Sequence, residues 1–147
     1  MTVVKDALVV RLRTVLTTLG DYQGQKRIFA ADKVPGDCPR PYVTLYGPVT
    51  AREFETKTGP TGSEDPEAGA GHVLQFDLGV YGDANGDPSV VDDLALLAQR
   101  GINRKPSELT VTGWHVMIAK AQVGVVAPTD ESIYGRVVNI ELTLRPR

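Results

Sequence analysis

Two stretches of this chain alternate so regularly that they dictate much of the rest. In His72–Tyr81, Leu74, Phe76, Leu78 and Val80 fall on one side, and Gln75, Asp77 and Gly79 on the other. In Tyr134–Arg145, Val138, Ile140, Leu142 and Leu144 oppose Asn139, Glu141, Thr143 and Arg145. Period-two alternation is the signature of a strand with one buried face, and an antiparallel sheet can leave its other face to water. The chain must therefore supply something apolar to cover one side of a sheet.

Two segments can do so. From Thr2 to Leu19, residues Val4, Leu8, Leu12, Val15, Leu16 and Leu19 recur at helical steps, with Thr2 able to cap the start and Gly20 able to close the end. A second helix begins at Asp87-Pro88, an N-cap followed by a proline at the first helical position. Val90, Leu94, Leu97 and Ala98 mark its expected buried face and Gly101 its end. Two further strands are predicted. Tyr42–Tyr46 is β-branched and aromatic and stops at Gly47-Pro48. Thr112–Val125 sets Trp114, Val116 and Ile118 against Met117 and Ala119. Ile28 and Phe29 form a short apolar piece before the Pro-Gly-rich loop Val34–Pro41, and Ala127–Ser132 suits a hairpin connection. The expected fold is α+β: an antiparallel sheet of about four strands with two helices on one face, in the order α-β-β-α-β-β. With 147 residues, the length is that of one domain spanning residues 1–147.

Val49–Gly71 is the least core-like segment, with Gly59, Gly62, Gly69, Pro60 and Pro66 among many charges. It is expected to be a long exposed loop, and structureless loops of that length are usually functional or disordered. Its charged residues Arg52, Glu53, Glu55, Lys57, Glu64, Asp65 and Glu67 are candidate assembly contacts. Arg104 and Lys105, after the second helix, complement the negative pole of that helix and are a further candidate contact.

Several functions lack the residues they require. Sixteen basic against 18 acidic side chains give a net charge of −2, without the positive field that drives non-specific nucleic-acid binding. No stretch approaches the roughly 20 consecutive apolar residues of a membrane span, and the N-terminus is unlike a signal peptide. Cys38 is alone, so neither an intrachain disulfide nor a cysteine metal site can form. His72 and His115 have no companions at zinc spacing. There is no Gly-x-Ser-x-Gly elbow. Asp83–Asp87 resembles the start of a calcium loop, but Pro88 stands where that loop needs Gly, and Leu94 where it needs an acid. Gly59–Ser63 lacks the lysine of a phosphate loop. No catalytic, metal or cofactor-binding residue is assigned.

The order of these elements, together with Pro39-Arg40-Pro41-Tyr42-Val43-Thr44-Leu45, resembles the tail-terminator (tail-completion) family of long-tailed, siphophage-type bacteriophages and gene-transfer particles. In that family an N-terminal amphipathic helix precedes a Pro-Tyr-Val-Thr-Leu-like strand; a polar loop, a strand, a helix and two final strands follow. The corresponding segments are Val3–Leu19, Tyr42–Tyr46, His72–Tyr81, Pro88–Arg100, Trp114–Val125 and Tyr134–Arg145, nearly the whole chain. The charged loop Val49–Gly71 is longer than the family pattern. The resemblance implies a non-enzymatic virion protein at the head-tail junction, present in the host cytoplasm before assembly. Its subunits would form a homo-oligomeric ring, a hexamer, that caps the tail tube, ends its polymerisation and joins it to the head connector. DNA would pass through the lumen only as cargo, and a neutral or negative inner wall would let it slide. Other readings are a head-to-tail connector of the same particle, a small-molecule enzyme using Asp, Glu and Tyr in a cleft, and an oligomeric scaffold unrelated to phage.

Overall fold

A computed structural model describes residues 2–30, 33–55, 70–126 and 132–147. Helix α1 covers Thr2–Val15 and α2 Pro88–Ile102; the strands are β1 (Asp21–Tyr22), β2 (Gln25–Lys26), β3 (Ile28–Ala30), β4 (Tyr42–Glu55), β5 (Ala70–Asp83), β6 (Trp114–Val126) and β7 (Ile133–Pro146). A 3₁₀ turn, Pro106–Glu108, follows α2. The main sheet has five strands in the order β3-β4-β5-β7-β6, and β1 and β2 form a separate two-stranded sheet.

The α+β character and the two helices agree with expectation, but the sheet differs from four antiparallel strands. Ile28–Ala30 pairs parallel to Val43–Leu45, making the sheet mixed. At three residues it is too short to show periodicity. The apolar faces of β4, β5 and β7 point to one side and join both helices in one core. Val4, Leu8, Leu12, Leu16 and Leu19 come from α1 and its continuation, and Phe76, Leu78, Ile140, Leu142 and Leu144 from the sheet.

Several boundaries move for physical reasons. The first helix ends at Val15, earlier than Leu19, where the β-branched pair Thr17-Thr18 turns the chain; Leu16 and Leu19 stay buried beyond it. Gly20 is not a left-handed cap: its φ is not positive, and its carbonyl accepts from the Arg27 amide at 3.1 Å. Asp87 does cap α2, accepting from the Ser89 amide at 3.0 Å. The helix is rotated by about one residue from the expected face, burying Val91, Leu94, Ala95, Ala98, Gly101 and Ile102 and leaving Val90 44% exposed. The small residues explain the rotation. A Cβ on Gly101 would lie 2.6 Å from Val15 Cγ1, so the helices meet where only glycine leaves room. Gly101 thus serves contact within α2, and the helix ends at Ile102 with Asn103 as its cap.

β4 continues past Gly47-Pro48. Its ladder to β5 breaks between Tyr46↔Asp77 and Thr50↔Gln75, then resumes to Glu55↔Ala70. Proline cannot donate to a ladder, and the bulge absorbs it; Gly47, at φ 130°, supplies a conformation other residues rarely adopt. Residues 49–55 and 70–71 of the expected loop therefore lie in strands, and 56–69 fall outside the described residues. β6 carries its own bulge between Val116↔Leu144 and Ile118↔Thr143. The extra residue turns the strand over: Val116, Ala119 and Ala121 are buried, while Met117 and Ile118 are 42% and 46% exposed. The expected grouping of Trp114, Val116 and Ile118 on one face does not hold.

Candidate assembly surfaces

The register of the sheet places the polar side chains of the face opposite the helices, uncovered among the described residues, in rows. Thr50, Gln75, Glu141 and Lys120 form one row across β4, β5, β7 and β6. Thr50 Oγ1 donates to Gln75 Oε1 at 2.7 Å, and Gln75 Nε2 to Glu141 Oε2 at 3.0 Å. The next row is Tyr46, Asp77, Asn139 and Gln122. The β5, β7 and β6 members of both rows, together with Met117 and Ile118, border a shallow concavity of about 1020 Å³ that reaches around the β6 edge to Gln99, Asn103 and Arg104. Its charges are of both signs, Lys120 and Arg104 against Asp77 and Glu141.

At the other end of the same face the sheet is aromatic. Tyr42 pairs with Tyr81 across the strands, ring centroids 5.6 Å apart, and the Tyr46 and Tyr81 hydroxyls are 3.4 Å apart. The Tyr81 ring lies over Gly79, where a Cβ would come within 2.5 Å of its oxygen. Burial, and then the hydrogen bond with Tyr46, push the Tyr81 phenol up to about 12.

The other shifted groups have local structural causes. Tyr22 is raised by its hydrogen bond to Asp37, Cys38 by burial, and Tyr134 by burial and then its 3.0 Å hydrogen bond to Asp92. Asp87 is lowered by the Ser89 amide it caps. Tyr22 and Cys38 share Asp37 as a neighbour, whereas Tyr134 has Asp92 and Asp87 the Ser89 amide. Among the described residues there is no group of three His, Cys, Asp or Glu that could hold a metal. His72 packs edge-on against Trp114 at 4.9 Å. Asp83, in the calcium-like stretch, pairs with Arg40 at 2.9 Å.

The structure separates the candidate contact residues. Arg52 and Glu53 are exposed near the end of β4, on alternate sides of the strand. Glu55 belongs to β4 by its backbone; Lys57, Glu64, Asp65 and Glu67 lie outside the described residues. Arg104 and Lys105 are exposed beside β6 at the far side of the sheet, Arg104 with φ 60°. Three strand spacings, roughly 14 Å, divide β4 from β6, so Arg52 and Glu53 lie towards the opposite edge of the sheet from Arg104 and Lys105. The tyrosine cluster and the polar rows were missed by sequence reasoning; the pairing of Tyr42 with Tyr81 needs a register that no single segment reveals.

The sequence matches no protein-family model and no curated protein. The fold is similar to that of a chain in the solved virion of a native gene transfer agent particle, with a TM-score of 0.64 and 16% sequence identity. The similarity covers 96% of this chain and 93% of that one.

Proposed function

We propose that this chain is a structural virion subunit of the tail-terminator type. Copies form a ring, a hexamer, on the head-proximal end of a tail tube, stop its polymerisation and present a surface for head-tail joining. The observation that carries this reading is the fold shared with a gene-transfer-agent virion chain over nearly the full length of both chains. The ordered set of elements around Pro41-Tyr42-Val43-Thr44-Leu45 supports it independently.

Termination of this kind needs no bond-making. A subunit that matches the tube on one face and differs on the other prevents the next tube ring from adding, so the outcome is set by a difference in binding. The two separated charged groups suit such a two-sided task. Arg52, Glu53, Glu55 and Lys57 would orient one contact, with Glu64, Asp65 and Glu67 adding acidic charge, and Arg104 and Lys105 would serve another. The net charge of −2 suits a passage through which DNA slides without being held.

Negative-stain microscopy of the purified protein mixed with tail tubes tests the proposal. Rings on one end of each tube are the expected result. Particles that keep normal tail ends without this protein would overturn it, as would capture of the head connector but not of the tube protein. Deletion of Thr56–Glu67 tests the assigned contact: tails of normal length would remove that segment from it.

A further inference from the structure

Among the described residues β6 is the outermost strand on its side of the sheet, and an edge strand offers a row of N–H and C=O groups on which another chain can pair. That row is occupied from within. The Ala121 amide donates to Asn103 Oδ1 at 3.1 Å, the Val123 amide to Gln99 Oε1 at 2.8 Å, and the Ala119 carbonyl accepts from the Arg104 amide at 2.9 Å. The match is geometric. Residues four apart on a helix rise about 6 Å, and residues two apart on an antiparallel strand about 6.8 Å. Side chains at 99 and 103 can therefore meet alternate amides at 123 and 121, and the end of α2 takes the place of a missing strand. The other edge is different. Beyond Val43–Leu45, which β3 covers, β4 pairs only with β5 among the described residues, leaving the outer edge of Thr50–Glu55 without a strand.

We propose that Gln99 and Asn103 mask the β6 edge against a strand from a second copy of this chain, the available strand being the outer edge of β4. With the mask in place, copies associate through side-chain surfaces and cannot continue one sheet from molecule to molecule. This inference does not rest on the tail-terminator reading.

The test compares the full-length protein with the pair Gln99→Ala/Asn103→Ala and the pair Gln99→Glu/Asn103→Asp, which keeps an acceptor at each position. In dilute solution the alanine pair should lose hydrogen-exchange protection at Ala121 and Val123. Its sedimentation coefficient should climb with concentration above that of the parent, and the acidic pair should follow the parent. An alanine pair that sediments like the parent at every concentration, with both amides exchanging freely, overturns the proposal. So does an acidic pair that associates as the alanine pair does. If the alanine pair fails to fold, the single variants carry the same test. Gln99→Ala should unprotect Val123 alone and Asn103→Ala should unprotect Ala121 alone, each with increased association; unchanged association in both overturns the inference.

Discussion

On the helix side of the sheet, Leu74, Phe76, Leu78, Val80, Ile140, Leu142 and Leu144 are sealed beneath α1 and α2. On the other side β5 and β7 carry Gln75 and Glu141 in one row and Asp77 and Asn139 in the next, which Tyr46 of β4 joins, with Tyr42 and Tyr81 further along the face. Burial of apolar area, at about 25 cal/mol per Å², makes the first side the main source of stability. The second side is not uniform. Its row of Thr50, Gln75 and Glu141 is held by hydrogen bonds whose net worth is small, whereas its tyrosines cover buried Gly79 and behave as a second, smaller packed layer. A surface without a helix over it can therefore still contain a region where shape is restricted.

The contrast can be broken or sharpened by substitution. The largest effect is expected at Phe76, fully buried under the helices, where Phe76→Ala should cost about 3–5 kcal/mol in chemical denaturation. Next is Gly79→Ala on the uncovered side, which should cost about 1–3 kcal/mol because the new methyl meets the Tyr81 ring. Adding Tyr81→Ala should relieve that clash, seen as non-additive denaturation midpoints; simple additivity would show that the ring does not constrain Gly79. The smallest effect belongs to Gln75→Ala in the polar row, expected within about 0.5 kcal/mol of the parent.

A pH prediction addresses the tyrosine layer directly. The Tyr81 phenol is raised in the folded state from its ordinary 10.0 to about 12. A group whose folded value is raised contributes its stability below the unfolded value and loses it as pH climbs through the folded one. The fold should thus weaken between about pH 10 and 12. Tyr46→Phe, which removes one of the hydroxyls that raise Tyr81, should bring the ultraviolet titration of Tyr81 down toward the ordinary value.

Much of the helix side was legible because alternation and helical spacing are local. Leu74–Val80 and Val138–Leu144 needed no partner to be recognised, and Asp87-Pro88 announced the start of α2 through the chemistry of a cap. What escaped depended on distant contacts. The rotation of α2 is set by Val15 against Gly101, residues on different helices, and the turning over of β6 by one unpaired residue near Met117. β3 is too short to have a pattern, and Gly47-Pro48 looked like a stop because nothing local shows that β5 continues the pairing beyond it. The contact residues were chosen by charge alone, and charge does not reveal that Arg52 and Arg104 stand at opposite edges.

The β4 bulge and the first of the two register shifts in β6 also differ in parity. Between Tyr46 and Thr50, β4 advances four residues while β5 advances two from Asp77 to Gln75, an even excess that leaves the phase of the strand intact. Between Val116 and Ile118, β6 advances two while β7 advances one from Leu144 to Thr143, an odd excess that inverts it. Indels at Gly47–Val49 are therefore governed by a frame rule like that of a coding sequence. Loss of two residues there would shorten the ribbon yet leave Arg52 and Glu53 facing as they do now, whereas loss of one would exchange their sides and present the opposite charge to whatever each side meets.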